Sequence, residues 1–177
     1  MAESFRFLTR RRVLALGLAG ASVLVVGGGV SSLLGGAPPV AGLRVLSARE
    51  YRTLDALAKT LLPSGGAFEI GAERFDLGRA FDAYLAGEPA DNVKKLQRAL
   101  LLFELGPLLF ERRWSSFSRL SDAERLSHYE AWTTSDRLVR RQVATAFRKF
   151  MALVFYDNPE VWPHIGYPGP SLARFSK

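Results

Sequence analysis

Apolar residues recur with the period of an α-helix in five segments of the chain after residue 43. The last segment is the clearest, because its apolar positions repeat at i, i+4, i+7 and i+8 over four turns. Those positions are Val139, Val143, Ala146, Phe147, Phe150, Met151 and Val154. No segment alternates apolar and polar residues for long enough to predict a β-strand. The pattern predicts an all-α protein, a small helical bundle whose core includes the face of this last helix.

Polar residues predict where the helices begin. Ser47 with Glu50, and Ser121 with Glu124, have the S-x-x-E spacing of a capping box, in which each side chain accepts from the other residue's backbone N–H. The other predicted caps are Asp76, Asp91, and either Ser135 or Asp136. Between the third and fourth helices, Gly106-Pro107 is expected to end or kink the helix, because proline disfavours helical geometry at the residue before it.

The first part of the chain has a different pattern. Residues 13–36 are apolar apart from three serines, and 24 residues are enough to span a bilayer as a helix. Seven glycines lower the hydrophobicity and helix propensity of this stretch. A basic leader before an apolar run also fits a secretory signal, with cleavage near Ala37 or Ala41, although no clean A-x-A site is present. Hydropathy alone leaves signal and anchor open.

The arginines before the apolar run favour an export signal. Thr9, Arg10, Arg11, Val13 and Leu14 resemble the twin-arginine signal, Ser/Thr-Arg-Arg-x-hydrophobic-Leu. The competing interpretation is that the arginines are the positive flank of an ordinary anchor. The twin-arginine resemblance implies export of an already folded protein. We therefore predict a signal or membrane anchor over residues 1–42 and a helical domain over residues 43–177.

Composition excludes several classes of function. The chain has no cysteine, so it can form no disulfide, iron–sulfur cluster or c-type haem attachment. The net charge is +7, but from residue 43 onward 20 basic residues are interspersed with 16 acidic ones. Nucleic-acid binding usually requires a basic stripe or a recognisable motif. We predict a solvated mixed-charge surface and no nucleic-acid partner.

Few residues suggest catalysis or metal binding. The only histidines, His128 and His164, are 36 positions apart, whereas a helical two-histidine metal site needs i, i+4 spacing. Glu104 and Glu111 are seven apart, but Gly106-Pro107 lies between them, so nothing pairs them for acid–base work. A Ser-His-Asp triad stays open, without a G-x-S-x-G motif to support it. We predict no catalytic, cofactor-binding or metal-binding residue, and an ordinary surface or packed His128.

The stretch from residue 155 to residue 170 combines aromatic residues with turn-forming ones. Prolines and glycines after position 158 prevent a long helix, yet Trp162, Ile165 and Tyr167 are large and partly apolar. Such a segment either packs back over the bundle or presents anchors to a partner. Chain physics leaves both open, and these three residues are the candidates for partner binding.

Three segments resemble the gluconate 2-dehydrogenase subunit 3 family: LSAREYRTLDALAKTLLP, FSRLSDAERLSHYEAW and, most specifically, FYDNPEVWPHIGYPGP. The resemblance runs from about residue 46 to residue 170. It implies the non-catalytic small subunit of a membrane-associated dehydrogenase for sugars or polyols. The other chains of such a complex are an FAD-containing catalytic subunit and a c-type cytochrome. The small subunit itself would carry no cofactor.

The resemblance also implies a location and a role in export. The small subunit would bind the flavoprotein and take it through the twin-arginine translocation machinery to the periplasm, or to the periplasmic face of the inner membrane. A flavoprotein folds around FAD in the cytoplasm and so needs a route that accepts folded cargo. The alternatives are a stand-alone membrane-tethered helical binding module of the cell envelope and a cryptic hydrolase.

Overall fold

A computed structural model of the chain describes residues 38–66 and 69–170. Over these ranges the protein is all-helical and has no β-strand, which confirms the predicted fold class. The α-helices are α1 (Ala48–Leu61), α2 (Leu77–Leu85), α3 (Ala90–Glu104), α4 (Gly106–Glu111), α5 (Asp122–Thr133) and α6 (Leu138–Tyr156). Short 3₁₀ helices lie at Ala72–Arg74, Phe117–Arg119 and Trp162–Ile165. The predicted signal or anchor helix, with the motif from Thr9 to Leu14, lies outside the described residues.

Both predicted capping boxes form. At the start of α1, the Glu50 carboxylate accepts from the Ser47 backbone N–H at 2.7 Å, and the Ser47 hydroxyl oxygen accepts from the Glu50 N–H at 3.4 Å. At the start of α5, Glu124 accepts from the Ser121 N–H at 3.0 Å. These pairs satisfy backbone donors that have no partner within the helix.

Two other caps differ from the prediction. Pro89, not Asp91, is the N-cap of α3. Asp91 lies in the first turn, where its negative charge interacts favourably with the positive end of the helix dipole. Arg137 is the N-cap of α6. The Ser135 hydroxyl oxygen instead accepts from the Arg137 N–H at 3.2 Å, as part of the preceding turn.

The Gly106-Pro107 pair begins α4, which follows α3 with only Leu105 between them. Leu105 is both the C-cap of α3 and the N-cap of α4, and Pro107 lies in the first turn of α4. A proline is tolerated there because the first N–H groups of a helix have no internal acceptor. The chain therefore resumes a short helix after Leu105, which the sequence pattern did not predict.

The core lies where α1 packs against α2, α3, α5 and α6. Its largest fully buried side chains are aromatic: Phe81, Phe103, Phe117, Trp132, Phe147 and Phe155. The predicted face of α6 supplies Phe147, Met151 and Val154 as buried residues, with Val143 and Phe150 packed at the edge of the core.

Within the described ranges, no helix combines the length and apolar character that crossing a membrane requires.

Candidate functional site

The segment after α6 is anchored by one buried residue. Val161 is fully buried in the core, so the chain returns to the bundle after a turn that begins at Asp157. The 3₁₀ helix Trp162–Ile165 follows and ends at Gly166, whose φ of 67° lies in the left-handed region that favours glycine. This ordered segment, residues 161–170, is the aromatic loop.

Trp162 organises the aromatic loop. Its indole N–H donates to the Tyr156 carbonyl oxygen at 2.9 Å, and its ring meets the Tyr167 ring edge-on, with centroids 5.4 Å apart. The Trp162 carbonyl oxygen accepts from the Tyr167 N–H at 2.9 Å. Gly169 has a φ of 93°, and a Cβ there would lie 3.2 Å from the Trp162 ring. The loop thus has its own hydrogen bonds and ring contacts.

The same loop exposes apolar surface. Ile165 is 43% exposed and Tyr167 is 44% exposed, while Trp162 is half-buried. Leu153 and Tyr156, three residues apart on one face of α6, are also exposed. The Tyr156 carbonyl oxygen is the acceptor of the Trp162 indole hydrogen bond. We call these five residues the aromatic patch. Part of the stretch packs back on the bundle through Val161, and part is exposed to solvent. Partner binding by the exposed part stays a prediction.

Contacts below the aromatic patch fix it to the rest of the domain. Phe75 packs edge-on against Phe155, with ring centroids 5.8 Å apart. Arg74 forms an ion pair with Glu160 at 3.2 Å, which joins the 3₁₀ helix Ala72–Arg74 to the turn before Val161. This ion pair is exposed and contributes little to stability, but the ring packing holds the base of the patch.

A second candidate site surrounds His128. This side chain is buried on α5, and its ring packs against those of Phe103, Phe117 and Trp132 at centroid distances of 4.9, 5.5 and 5.6 Å. Its Nδ1 atom contacts the Glu111 carboxylate at the end of α4. His128 is therefore a packed residue, one of the two positions predicted for it.

The other ring nitrogen of His128 faces the backbone. A Cβ added to Gly106 would lie 2.7 Å from Nε2, so Gly106 occupies the space beside this atom. Among the described residues, no side chain forms a hydrogen bond with Nε2. A backbone hydrogen bond with Phe103 is one of the interactions that raise the pKa of His128. In a Ser-His-acid triad, the nitrogen opposite the carboxylate accepts the serine proton. That contact is not formed here.

Burial sets the charge of the His128 cluster. Burial lowers the pKa of His128, and the Glu111 carboxylate opposes this effect without cancelling it. Arg140 of α6 lies 4.8 Å from the Phe110 ring centroid and 5.2 Å from that of Trp132, and burial also lowers its pKa. The cluster joins α4, α5 and α6 through ring packing, the contact of His128 with Glu111 and the cation–π contacts of Arg140.

The His128 cluster should make the domain sensitive to mild acid. Below the ordinary histidine pKa, the unfolded chain takes up a proton that folded His128 does not, so the free energy of unfolding falls as pH falls. We expect a loss of about 1 kcal/mol between about pH 7.5 and about pH 5.5. In His128→Gln this part of the loss should disappear.

Urea unfolding of both proteins at the two pH values measures this loss. Carboxylates with lowered pKa values, such as Asp82, titrate below this window and do not interfere. An identical pH dependence in wild type and His128→Gln would contradict the assignment.

Glu104 and Glu111, which the sequence spacing did not pair, bind different partners. Glu104, at the end of α3, accepts from the Thr53 hydroxyl at 3.1 Å and from the Ser118 hydroxyl at 2.6 Å. Glu111 ends α4 and contacts His128. Glu104 therefore holds the 3₁₀ helix Phe117–Arg119 against α1, and the two carboxylates do not form a pair. No group of three or more acidic, histidine or cysteine side chains is placed to hold a metal in the described part of the chain.

No protein-family model matches this chain, no curated protein matches it significantly, and neither does any solved structure. The family resemblance therefore stays a prediction. The aromatic patch contains the three residues predicted to bind a partner, Trp162, Ile165 and Tyr167.

Proposed function

We propose that this protein is a non-catalytic accessory subunit of an FAD-dependent dehydrogenase complex for sugars or polyols. The aromatic patch would bind the FAD-containing catalytic subunit, and a c-type cytochrome would complete the complex. The observation that carries the proposal is an ordered, half-exposed cluster of large side chains at the end of α6. It coincides with the stretch that resembles the gluconate 2-dehydrogenase subunit 3 family most specifically.

The aromatic patch has the properties of a binding hot spot. Tryptophan and tyrosine combine a large apolar area with a polar tip and are enriched among the residues that dominate interface energetics. The Trp162 indole and the Tyr167 backbone are already hydrogen-bonded within the loop. Few side chains of the loop would therefore lose conformational freedom when a partner binds, and this keeps the entropic cost of binding low.

The N-terminal sequence supports the export half of the proposal. Arg10 and Arg11, followed by Val13 and Leu14, fit a signal that a receptor reads and that serves folded cargo. A flavoprotein that lacks its own signal could be carried to the periplasm while bound to this subunit. The accessory role needs no catalytic residue in this chain, since the flavin supplies the redox chemistry in the partner.

Replacing Trp162 by alanine should weaken flavoprotein binding. We expect a cost of about 2 kcal/mol or more, or roughly thirtyfold in Kd, because the change removes the centre of the aromatic patch. To measure binding, the tagged full chain is purified from its native host. Acid then releases FAD from the eluate, and the amount of FAD gives the amount of flavoprotein that was bound. Trp114 is 68% exposed and lies outside the aromatic patch, so Trp114→Ala is the matched control. This variant should bind the flavoprotein and yield as much FAD as wild type.

A second variant separates binding from folding. Ile165 is exposed in the aromatic patch, so Ile165→Asp should disrupt an apolar interface without changing the melting temperature of the domain. Full FAD recovery with both Trp162→Ala and Ile165→Asp would show that the aromatic patch is not the binding surface. A wild-type eluate without FAD would instead favour the stand-alone binding module.

A further inference from the structure

Residues 38–46 precede α1, and charged side chains of α1 and α2 bind them to the bundle. We call this segment the N-terminal strap. Arg52 of α1 donates to the Pro38 carbonyl oxygen at 2.5 Å, and Arg79 of α2 donates to the Ala41 carbonyl oxygen at 2.7 Å. Two cationic side chains from different helices therefore bind the backbone of the strap.

Asp82 fixes the end of the strap next to α1. This α2 residue is only 1% exposed, and its carboxylate accepts from the backbone N–H groups of Arg44, Val45 and Leu46 at 2.7, 2.9 and 2.7 Å. Burial alone would raise the pKa of Asp82, but these three hydrogen bonds outweigh burial and hold the pKa below its ordinary value. The carboxylate is charged at neutral pH, and its hydrogen bonds are accordingly strong.

The strap contains one of the two positions at which the sequence suggests signal cleavage. The Ala41–Gly42 bond joins two small residues, and both are exposed. Hydrolysis would break the bond between the Ala41 carbonyl carbon and the Gly42 nitrogen. The water oxygen would end on Ala41, and the proton would end on the new Gly42 amine. The peptidase must bind the Ala41 carbonyl oxygen in its oxyanion hole during this reaction.

The folded strap presents this bond in a form that a peptidase cannot use. The Ala41 carbonyl oxygen already accepts from Arg79. Gly42 has a φ of 78°, in the left-handed region, whereas a peptide that pairs with a binding cleft as an added strand is extended. A Cβ at position 42 would also lie 2.8 Å from the Arg79 guanidinium, so the backbone is closely covered on that side.

We propose that the N-terminal strap protects the Ala41–Gly42 bond from processing peptidases once the domain has folded, so that the strap itself is retained on the mature protein. The in-cell consequence rests on the proposed function, because the twin-arginine route delivers the domain folded and the strap is closed when the peptidase meets it. The protection itself depends on contacts within this chain, chiefly those of Arg79 and Asp82, and on the conformation of Gly42. Cleavage then requires local opening of residues 38–46 and follows the population of that open form.

Limited proteolysis of the purified full chain in detergent tests the protection. Elastase, which cuts after small residues, is the probe, and intact mass spectrometry measures the product that begins at Gly42. We expect cleavage after Ala41 to be at least about tenfold faster in Arg79→Ala than in wild type, since the variant removes a charge-assisted hydrogen bond. Arg74→Ala removes the exposed ion pair with Glu160 but no strap contact. This variant should be cleaved after Ala41 at the wild-type rate.

Two further measurements complete the test. Asp82→Asn keeps the shape of the side chain but removes its charge, and it should also accelerate the cut while the helical circular dichroism is retained. In urea, where the strap is open in every protein, wild type and Arg79→Ala should be cut after Ala41 at equal rates. Equal rates in the folded state would overturn the proposal.

The result is separable from the accessory-subunit proposal. The proteolysis uses this chain alone, so it stands whether or not FAD is recovered with the protein from its host. For the in-cell consequence, the intact mass of the wild-type protein from the envelope should include residues N-terminal to Ala41. A mature protein that begins at Gly42 would refute retention.

Discussion

Changing Arg10 and Arg11 together to lysine should leave the protein in the cytoplasm, although the net charge of its leader is unchanged. A twin-arginine signal is read by a receptor as a specific residue pair and does not act through positive charge alone. We expect near-complete loss of export for this chain and for any flavoprotein carried with it. Fractionation followed by immunoblotting of the cytoplasm, periplasm and membrane measures this effect.

The neighbouring arginines supply the matched control. Arg6→Lys and Arg12→Lys keep the charge and leave the central pair intact, so a chain with both changes should be exported normally. Normal export of the variant with lysine at positions 10 and 11 would favour the other interpretation, in which the arginines are the positive flank of a membrane anchor.

Phe103→Ala should produce the largest loss of stability in the domain. Phe103 is fully buried, and its ring packs edge-on against those of Phe117, His128, Trp132 and Phe147 at centroid distances of 4.6, 4.9, 4.8 and 5.4 Å. Truncating such a ring costs about 3–5 kcal/mol, the sum of lost burial and an unfilled cavity. A domain of this size is stable by only about 5–15 kcal/mol, so the variant should be close to unfolding.

Urea denaturation at neutral pH measures the loss. Tyr84→Ala is the comparison, because it also removes one aromatic ring, but from a half-exposed position on α2 where the ring stacks on Phe81. We expect that variant to lose about 1 kcal/mol or less. Similar losses for the two variants would show that Phe103 is not the centre of the core.

The aromatic patch was only partly predictable. Trp162, Ile165 and Tyr167 were identified because large side chains in a proline- and glycine-rich stretch are unusual. Tyr156 lies within the same predicted stretch, but the burial of Val161 and the inclusion of Leu153 were not predicted. The signal for Leu153 was present, since it lies outside the apolar stripe of α6, but exposure alone does not tell a binding surface from an ordinary one.

The features that depend on residues a few positions apart were predictable from the sequence. The capping boxes at Ser47 and Ser121 act over three residues, and the apolar face of α6 repeats every three or four. Such local preferences are set by backbone geometry and hold in many folds. For the same reason the all-α class followed directly from the pattern.

The roles of the buried polar residues depend on how distant helices pack together. Asp82 binds Leu46, 36 positions away, and Glu104 binds Thr53, 51 positions away. His128 meets Glu111 because α4 begins at Gly106-Pro107 and ends at Glu111, beside α5. A carboxylate or imidazole has the same local sequence signal whether it is solvated or buried. Its partners are fixed by the packing of distant helices, because a polar group that the core takes out of water must find a hydrogen bond inside it.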